Sequence, residues 1–131
     1  MLEKYLRELR EDLEMDPLEG RDKQGAYHLL LNDDTDLSFR EMDPGVLLFS
    51  PIRPCPSKKK EEFFIFLMRA NFLGLGTGDS AIALDAEEKF LTLSTYLTYD
   101  MNFRSFKETV EDFVNFLDYW KGELERFEKE G

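Results

Sequence analysis

A single cysteine, Cys55, stands between Pro54 and Pro56 in a chain of 131 residues. One thiol can neither close an intramolecular disulfide nor supply a cysteine-based metal site, which suits a reducing cytosol. Histidine is equally scarce. With only His28, no histidine-rich metal centre can form, and a Ser-His-Asp or Cys-His arrangement would have to be built around that one ring. On an alternating strand such a residue is more often a surface or half-buried side chain. Positive charge is short as well: 17 Lys and Arg against 28 Asp and Glu give a formal net charge of −11. That balance repels nucleic-acid phosphates and anionic lipid headgroups. The one basic run, Lys58-Lys59-Lys60, leads straight into Glu61 and Glu62 and reads as a solvated helix start. No apolar stretch approaches the roughly 20 residues needed to cross a bilayer. Met1-Leu2-Glu3-Lys4 opens directly into a charged amphipathic pattern, so neither a cleaved signal nor membrane insertion is expected.

What the chain does have is apolar and aromatic surface. A hydrophobic fraction of 42% with twelve Phe and five Tyr argues for a folded core, and the length suits one domain over 1–131. Leu2, Tyr5, Leu6, Leu9 and Leu13 recur at helical steps, and the pattern stops before Asp16-Pro17. From Gly25 the period becomes two, with Tyr27, Leu29 and Leu31 opposite Ala26, His28 and Leu30. Leu37 and Phe39 continue it in a second strand, Val46 to Ser50 form a third, and Pro51 to Pro56 read as a connection. A helix is predicted from an N-cap at Ser57 to about Leu73, with Gly74 in the C-terminal left-handed position. Its residues Phe63 to Met68 are apolar all round, which demands burial all round. In a chain this small a second copy of the same helix would meet that demand, so a two-fold homodimer is expected. Strands at Ser80 to Asp85 and Lys89 to Leu97 follow. Phe103, Phe106, Val110, Phe113, Leu117, Trp120, Leu124 and Phe127 then mark one long closing helix. The fold class is therefore α+β, in the order α-β-β-β-α-β-β-α, an antiparallel twisted sheet with flanking helices.

Two stretches invite a chemical reading. Gly74-Leu75-Gly76-Thr77-Gly78 has the composition of a phosphate cradle, but such cradles follow a strand and open a helix. Here the glycines follow a helix and precede a strand, where a helix end presents carbonyls. A helix stop with a flexible turn is the better reading. Asn32, Asp34 and Asp36 have the spacing that begins a calcium loop, yet its sixth position is Leu37 and its twelfth Asp43. Acidic pairs are too numerous to single one out. No catalytic residue, cofactor or metal site is assigned.

An acidic α+β dimer with surplus apolar residues points to peptide or protein binding. The element order, "LMRANFLGLGTGDSAIALD" with Ala70-Asn71 before the glycines, "KFLTLSTYL" and the closing "FKETVEDFVNFLDYWKGEL" resemble the Tir-chaperone (CesT-like) family of class I type III secretion chaperones. The resemblance spans nearly the whole chain, most clearly Phe63 to Leu124. It implies a homodimer of the bacterial cytoplasm that holds the N-terminal segment of one or more secreted effectors in extended form. The segment would be presented to the export apparatus, its ATPase or sorting platform, without catalysis by the chaperone. By the same resemblance the dimer contact maps onto Phe63, Phe64, Phe66, Leu67, Ala70 and Asn71. Effector grooves map onto Leu6, Leu9, Leu13, Leu29, Leu31, Leu91, Leu93 and Tyr96. Pro51, Pro54 and Pro56 depart from the family pattern, as does the short first helix. A non-secretory adaptor of the same fold, binding a folded cytosolic partner, is the alternative, and a nucleotide enzyme using the glycine turn a weaker third.

Overall fold

The chain runs α1 (Leu2–Asp12), β1 (Ala26–Leu31), β2 (Thr35–Glu41), β3 (Gly45–Pro54), α2 (Lys60–Asn71), β4 (Ala81–Leu84), β5 (Phe90–Thr98) and α3 (Phe103–Glu130), the order its periodicity predicts. This computed structural model describes residues 2–15, 20–31, 35–42, 45–56, 59–72, 80–85, 87, 89–98 and 100–130. The strands form one sheet in the order β1-β2-β3-β5-β4. β1 pairs antiparallel with β2, Tyr27 opposite Phe39 and Leu29 opposite Leu37, so alternation in each strand puts these four side chains on one face. β4 pairs antiparallel with β5, Ile82 opposite Leu93 and Leu84 opposite Leu91.

Contacts gather into two units, and β3, β5 and α3 each contribute to both. The first comprises residues up to Leu48 together with Tyr96–Glu111. Its core takes Leu2, Leu6 and Leu9 from α1, the Tyr27, Leu29, Leu37 and Phe39 face of β1 and β2, and Phe106 and Val110 from α3. The Tyr5 hydroxyl donates to the Met101 carbonyl at 2.9 Å while its ring lies 5.3 Å from Phe106, tying α1 to the start of α3. The second unit comprises Phe49–Thr95 and the chain from Asp112. There Ile52, Phe63, Leu67, Ile82, Leu91 and Leu93 are buried with Phe113, Leu117, Trp120 and Leu124.

α1 ends where the sequence reading places it, before Asp16-Pro17, whereas Leu13, the course of β3 and the start of α2 depart from that reading. α1 stops ahead of Asp16-Pro17 because Glu14 takes a left-handed φ of 53°. Met15 N–H then donates to Arg10 C=O at 2.9 Å and Glu14 N–H to Glu11 C=O at 3.2 Å, the two bonds of a Schellman ending. Leu13 consequently leaves the apolar stripe and is exposed. Pro51 to Pro54 are strand and not connection: β3 continues through them, with Ile52 buried and Pro51 and Pro54 exposed. Proline withholds one donor but its φ is compatible with extended backbone, so burial of Ile52 sets the period. At α2 the N-cap is Lys59, left-handed and without a side-chain capping bond, and the helix ends at Asn71. Ser57, the expected cap, lies outside the described residues, as do Leu73 and the glycines that follow. α3 is capped as its sequence allows, Asn102 Oδ1 accepting from Ser105 N–H at 2.8 Å.

Candidate functional site

α2 is apolar all round in sequence, yet only one side of it is covered in the protomer. Phe63 stands 5.1 Å from Phe127, and Phe66 lies 5.8 Å from Trp120, so α3 takes that side. Phe63 is 0% exposed and Leu67 is buried beside it. On the opposite side Ile65, Met68 and Phe72 stand at steps of three and four, with Met68 72% and Phe72 63% exposed. Of the residues expected at a dimer contact, Phe64, Phe66, Ala70 and Asn71 are half-buried, whereas Phe63 and Leu67 belong to the protomer core. The open stripe was missed in the sequence. Its signal was the 65, 68, 72 spacing inside an apolar run that appeared to have no polar side.

Asn71 makes the most specific contact of this element. Its amide Nδ2 donates to the Ile82 carbonyl and its Oδ1 accepts from the Ile82 N–H, both at 2.8 Å. The last residue of α2 is thereby fastened to β4.

The residues expected to line effector grooves separate in the same way. Leu6, Leu9, Leu29, Leu91 and Leu93 lie in the cores, none more than 2% exposed, and present no open surface in the protomer. Leu31 is half-buried, while Leu13 and Tyr96 are exposed. Beside α1 there is nevertheless a small apolar cleft, lined among others by Leu2, Tyr5, Val46, Leu97 and Phe106. Its accessible space of about 10 Å³ is roughly that of one water molecule, so a larger group enters only if a side chain shifts.

Around His28 two carboxylates and a hydroxyl converge on one imidazole. Its Nε2 meets Asp22 Oδ2 at 2.6 Å, and its Nδ1 meets Asp36 Oδ1 and Ser38 Oγ, each at 3.2 Å. Asp22 also accepts from the N–H groups of Gln24 and Ala26, at 2.8 and 2.9 Å. The Ala26 and His28 contacts hold the Asp22 carboxyl down to about 2, and the bond to Asp22 raises the His28 pKa. A Ser-His-Asp set is thus present by residue type, but Ser38 is only 5% exposed and shares Nδ1 with a carboxylate. A buried hydroxyl so placed does not serve as a nucleophile. The two carboxylates occupy opposite ring nitrogens and so do not converge on a common point. Among the described residues no group of three or more His, Cys, Asp or Glu could hold a metal ion. Asn32 and Asp34 of the calcium-like spacing lie outside the described residues. So does the glycine run, which follows α2 and precedes β4 in chain order. No described helix is long and apolar enough to cross a membrane.

Comparison with known proteins decides the family. A model of the Tir chaperone protein (CesT) family matches residues 4–121.

This chain belongs to the Tir chaperone (CesT) family.

A protein of Chlamydia pneumoniae is 25% identical to this Tir chaperone family chain over 126 residues, 95% of this chain and 96% of its own. Among solved structures, the ExsC–ExsE complex matches with a TM-score of 0.74 at 15% identity, over 92% of this chain and 90% of that one. The HopA1–SchA chaperone–effector complex matches at 0.72 and 14%, over 92% and 93%. The Yersinia pestis type III secretion chaperone SycH, solved with a stable fragment of YscM2, matches at 0.66 and 13%, over 91% and 98%. At such identities the structural likeness carries the fold.

Proposed function

We propose that this chain is a type III secretion chaperone, a single domain over 1–131 that works as a homodimer in the bacterial cytoplasm. It binds the N-terminal segment of one or more secreted effectors in extended, non-globular form and presents it to the export ATPase or sorting platform. Its contribution is binding, with no bond made or broken. The observation that carries this reading is membership of the Tir chaperone family over residues 4–121. Similar folds were solved in complexes described as chaperone–effector and as a secretion chaperone with a protein fragment.

Surface chemistry supports the same reading. In the homodimer the open side of α2, Ile65, Met68 and Phe72 with the half-buried Phe64, is the contact, because contiguous exposed apolar residues mark interaction sites. Leu13, Leu31 and Tyr96 are the groove residues that an effector reaches first. Leu9 and Leu93, being core residues, bear on binding only through the shape of the fold. Ordering an extended segment costs entropy, so affinity comes from a large contact spread over both protomers.

Co-purification from the native host followed by mass spectrometry tests the proposal. The expected partner is a secreted protein held through an N-terminal segment of about 50 residues or more, a contact large enough to offset its ordering entropy. Recovery of folded metabolic proteins alone would overturn it in favour of a non-secretory adaptor.

A further inference from the structure

β4 is an edge strand of four residues, Ala81-Ile82-Ala83-Leu84. Edge strands present unpaired N–H and C=O groups that recruit other strands, and proteins blunt them with lysine, proline, charge or a covering element. β4 carries none of these residue types. Its sequence is short, uncharged and apolar, so any protection has to come from elsewhere in the fold.

The Asn71 contact supplies it. In an antiparallel ladder a residue either exchanges both backbone bonds with its partner or points both outward. The Ile82 N–H and C=O both engage Asn71, so they point away from β5 and Ile82 with Leu93 forms a non-hydrogen-bonded pair. Ala81 and Ala83 then face β5, leaving Leu84 as the only other outward-pointing residue of the strand. A primary amide carries one donor and one acceptor side by side, as an adjoining strand does. Rotating the amide by half a turn would set N–H against N–H, so the bonds also fix its orientation.

We propose that Asn71 is an edge clamp that closes β4 to strand pairing with a second copy of this chain. Copies can then meet through side chains, such as the open stripe of α2, but not by joining sheets at β4. Because Asn71 ends α2, one residue before the exposed Phe72, the same amide sets where that stripe stops relative to β4. The inference does not depend on what the chain carries, and its test uses the protein alone.

The test is Asn71→Ala, with amide exchange read at Ile82 and size read by sedimentation. Exchange at Ile82 should rise about tenfold or more while Leu91 and Leu93 stay protected as in wild type, because the two local bonds at Ile82 are lost and not the core. The variant should also form concentration-dependent species larger than any the wild type forms. Unchanged exchange at Ile82 would overturn the clamp. Fast exchange with wild-type size would overturn the edge role, reducing Asn71 to a tie between helix and strand. Should Asn71→Ala fail to fold, Asn71→Asp decides. It keeps an oxygen for the Ile82 N–H but sets a second acceptor against the Ile82 carbonyl in place of the donor, so exchange at Ile82 should rise, and exchange unchanged from wild type would refute the assignment.

Discussion

Gly45 opens β3 at a point where no side chain can follow. A Cβ there would lie 2.3 Å from the Leu97 carbonyl oxygen and 2.8 Å from the Tyr96 ring. The nearer obstacle is backbone, which cannot rotate away as a side chain end can. Gly45→Ala should cost about 3 kcal/mol or more, seen as a lower urea midpoint, since overpacking of this kind forces the strands apart. Tyr96 lies over this glycine and is still exposed on its other side, so Tyr96→Ala should leave the fold standing and weaken partner binding. His28 behaves differently because its contribution depends on pH. Its folded pKa is raised above 6.5, mainly by the bond to Asp22, with burial opposing and Asp36 assisting. Its stabilisation is therefore full below that unfolded value and lost as pH rises through the higher folded one. Asp22 runs the other way: with a folded value of about 2 against 3.8, its stabilisation is present above 3.8 and lost as pH falls toward 2. The stability lost on His28→Gln should thus shrink as pH is raised above about 6.5, in urea titrations across that range. An equal loss at pH 5 and pH 9 would contradict the ion-pair account.

At the scale of elements, α2 is the informative one, because its two sides predict opposite results. Phe63 packs on Phe127 and is fully buried, so Phe63→Ala should cost about 3–5 kcal/mol of stability. Met68 has almost no partner within the protomer, so Met68→Glu should change protomer stability by no more than about 0.5 kcal/mol. In the proposed homodimer the same change places charge in an apolar contact. Sedimentation should then give the 15.4 kDa chain mass for Met68→Glu and about twice that for wild type. A wild type that sediments as a monomer at micromolar concentration would remove the homodimer. α1 carries a smaller lesson. Glu14 holds a left-handed position normally given to glycine, so Glu14→Gly should raise stability by about 0.5–1 kcal/mol.

Over the whole molecule the governing quantity is the net charge of −11. It disfavours phosphate-rich partners and keeps protomers apart until apolar contact overcomes repulsion. The salt bridges do little to alter this. Lys107 with Asp12 at 2.6 Å and Arg53 with Glu128 at 2.6 Å are partly exposed, and such pairs are each worth about 0–1 kcal/mol. Partner binding that rests on apolar side chains should accordingly respond only mildly to salt. A titration from low to high ionic strength should change the dissociation constant a few-fold, because screening acts on exposed charge and leaves apolar burial intact. A steep salt dependence would point to charge as the principal determinant and away from the α2 stripe and Tyr96.

The sequence by itself determined the order of elements, the apolar stripe of α3, the alternation of β1 and β2 and the family. All of these are local: a period of two or of 3.6 records which residues share a face, whatever lies opposite. It also placed Leu2, Leu6 and Leu9 on one apolar stripe of α1, which tertiary packing then buries. Periodicity does not say which partner covers a face, and that is where tertiary structure decided. α3 covers Phe63 and Phe66, so Ile65, Met68 and Phe72 stay open although all five read alike in sequence. Burial of Ile52 carries β3 through two prolines that local rules read as a break. Leu91 and Leu93, candidates for an open groove, became core because their face of β5 packs inward. Asn71 was visible as a residue before a glycine run and, by the family resemblance, as part of a dimer contact. Its meaning came from Ile82, eleven residues on, whose outward N–H and C=O no pattern along the chain records.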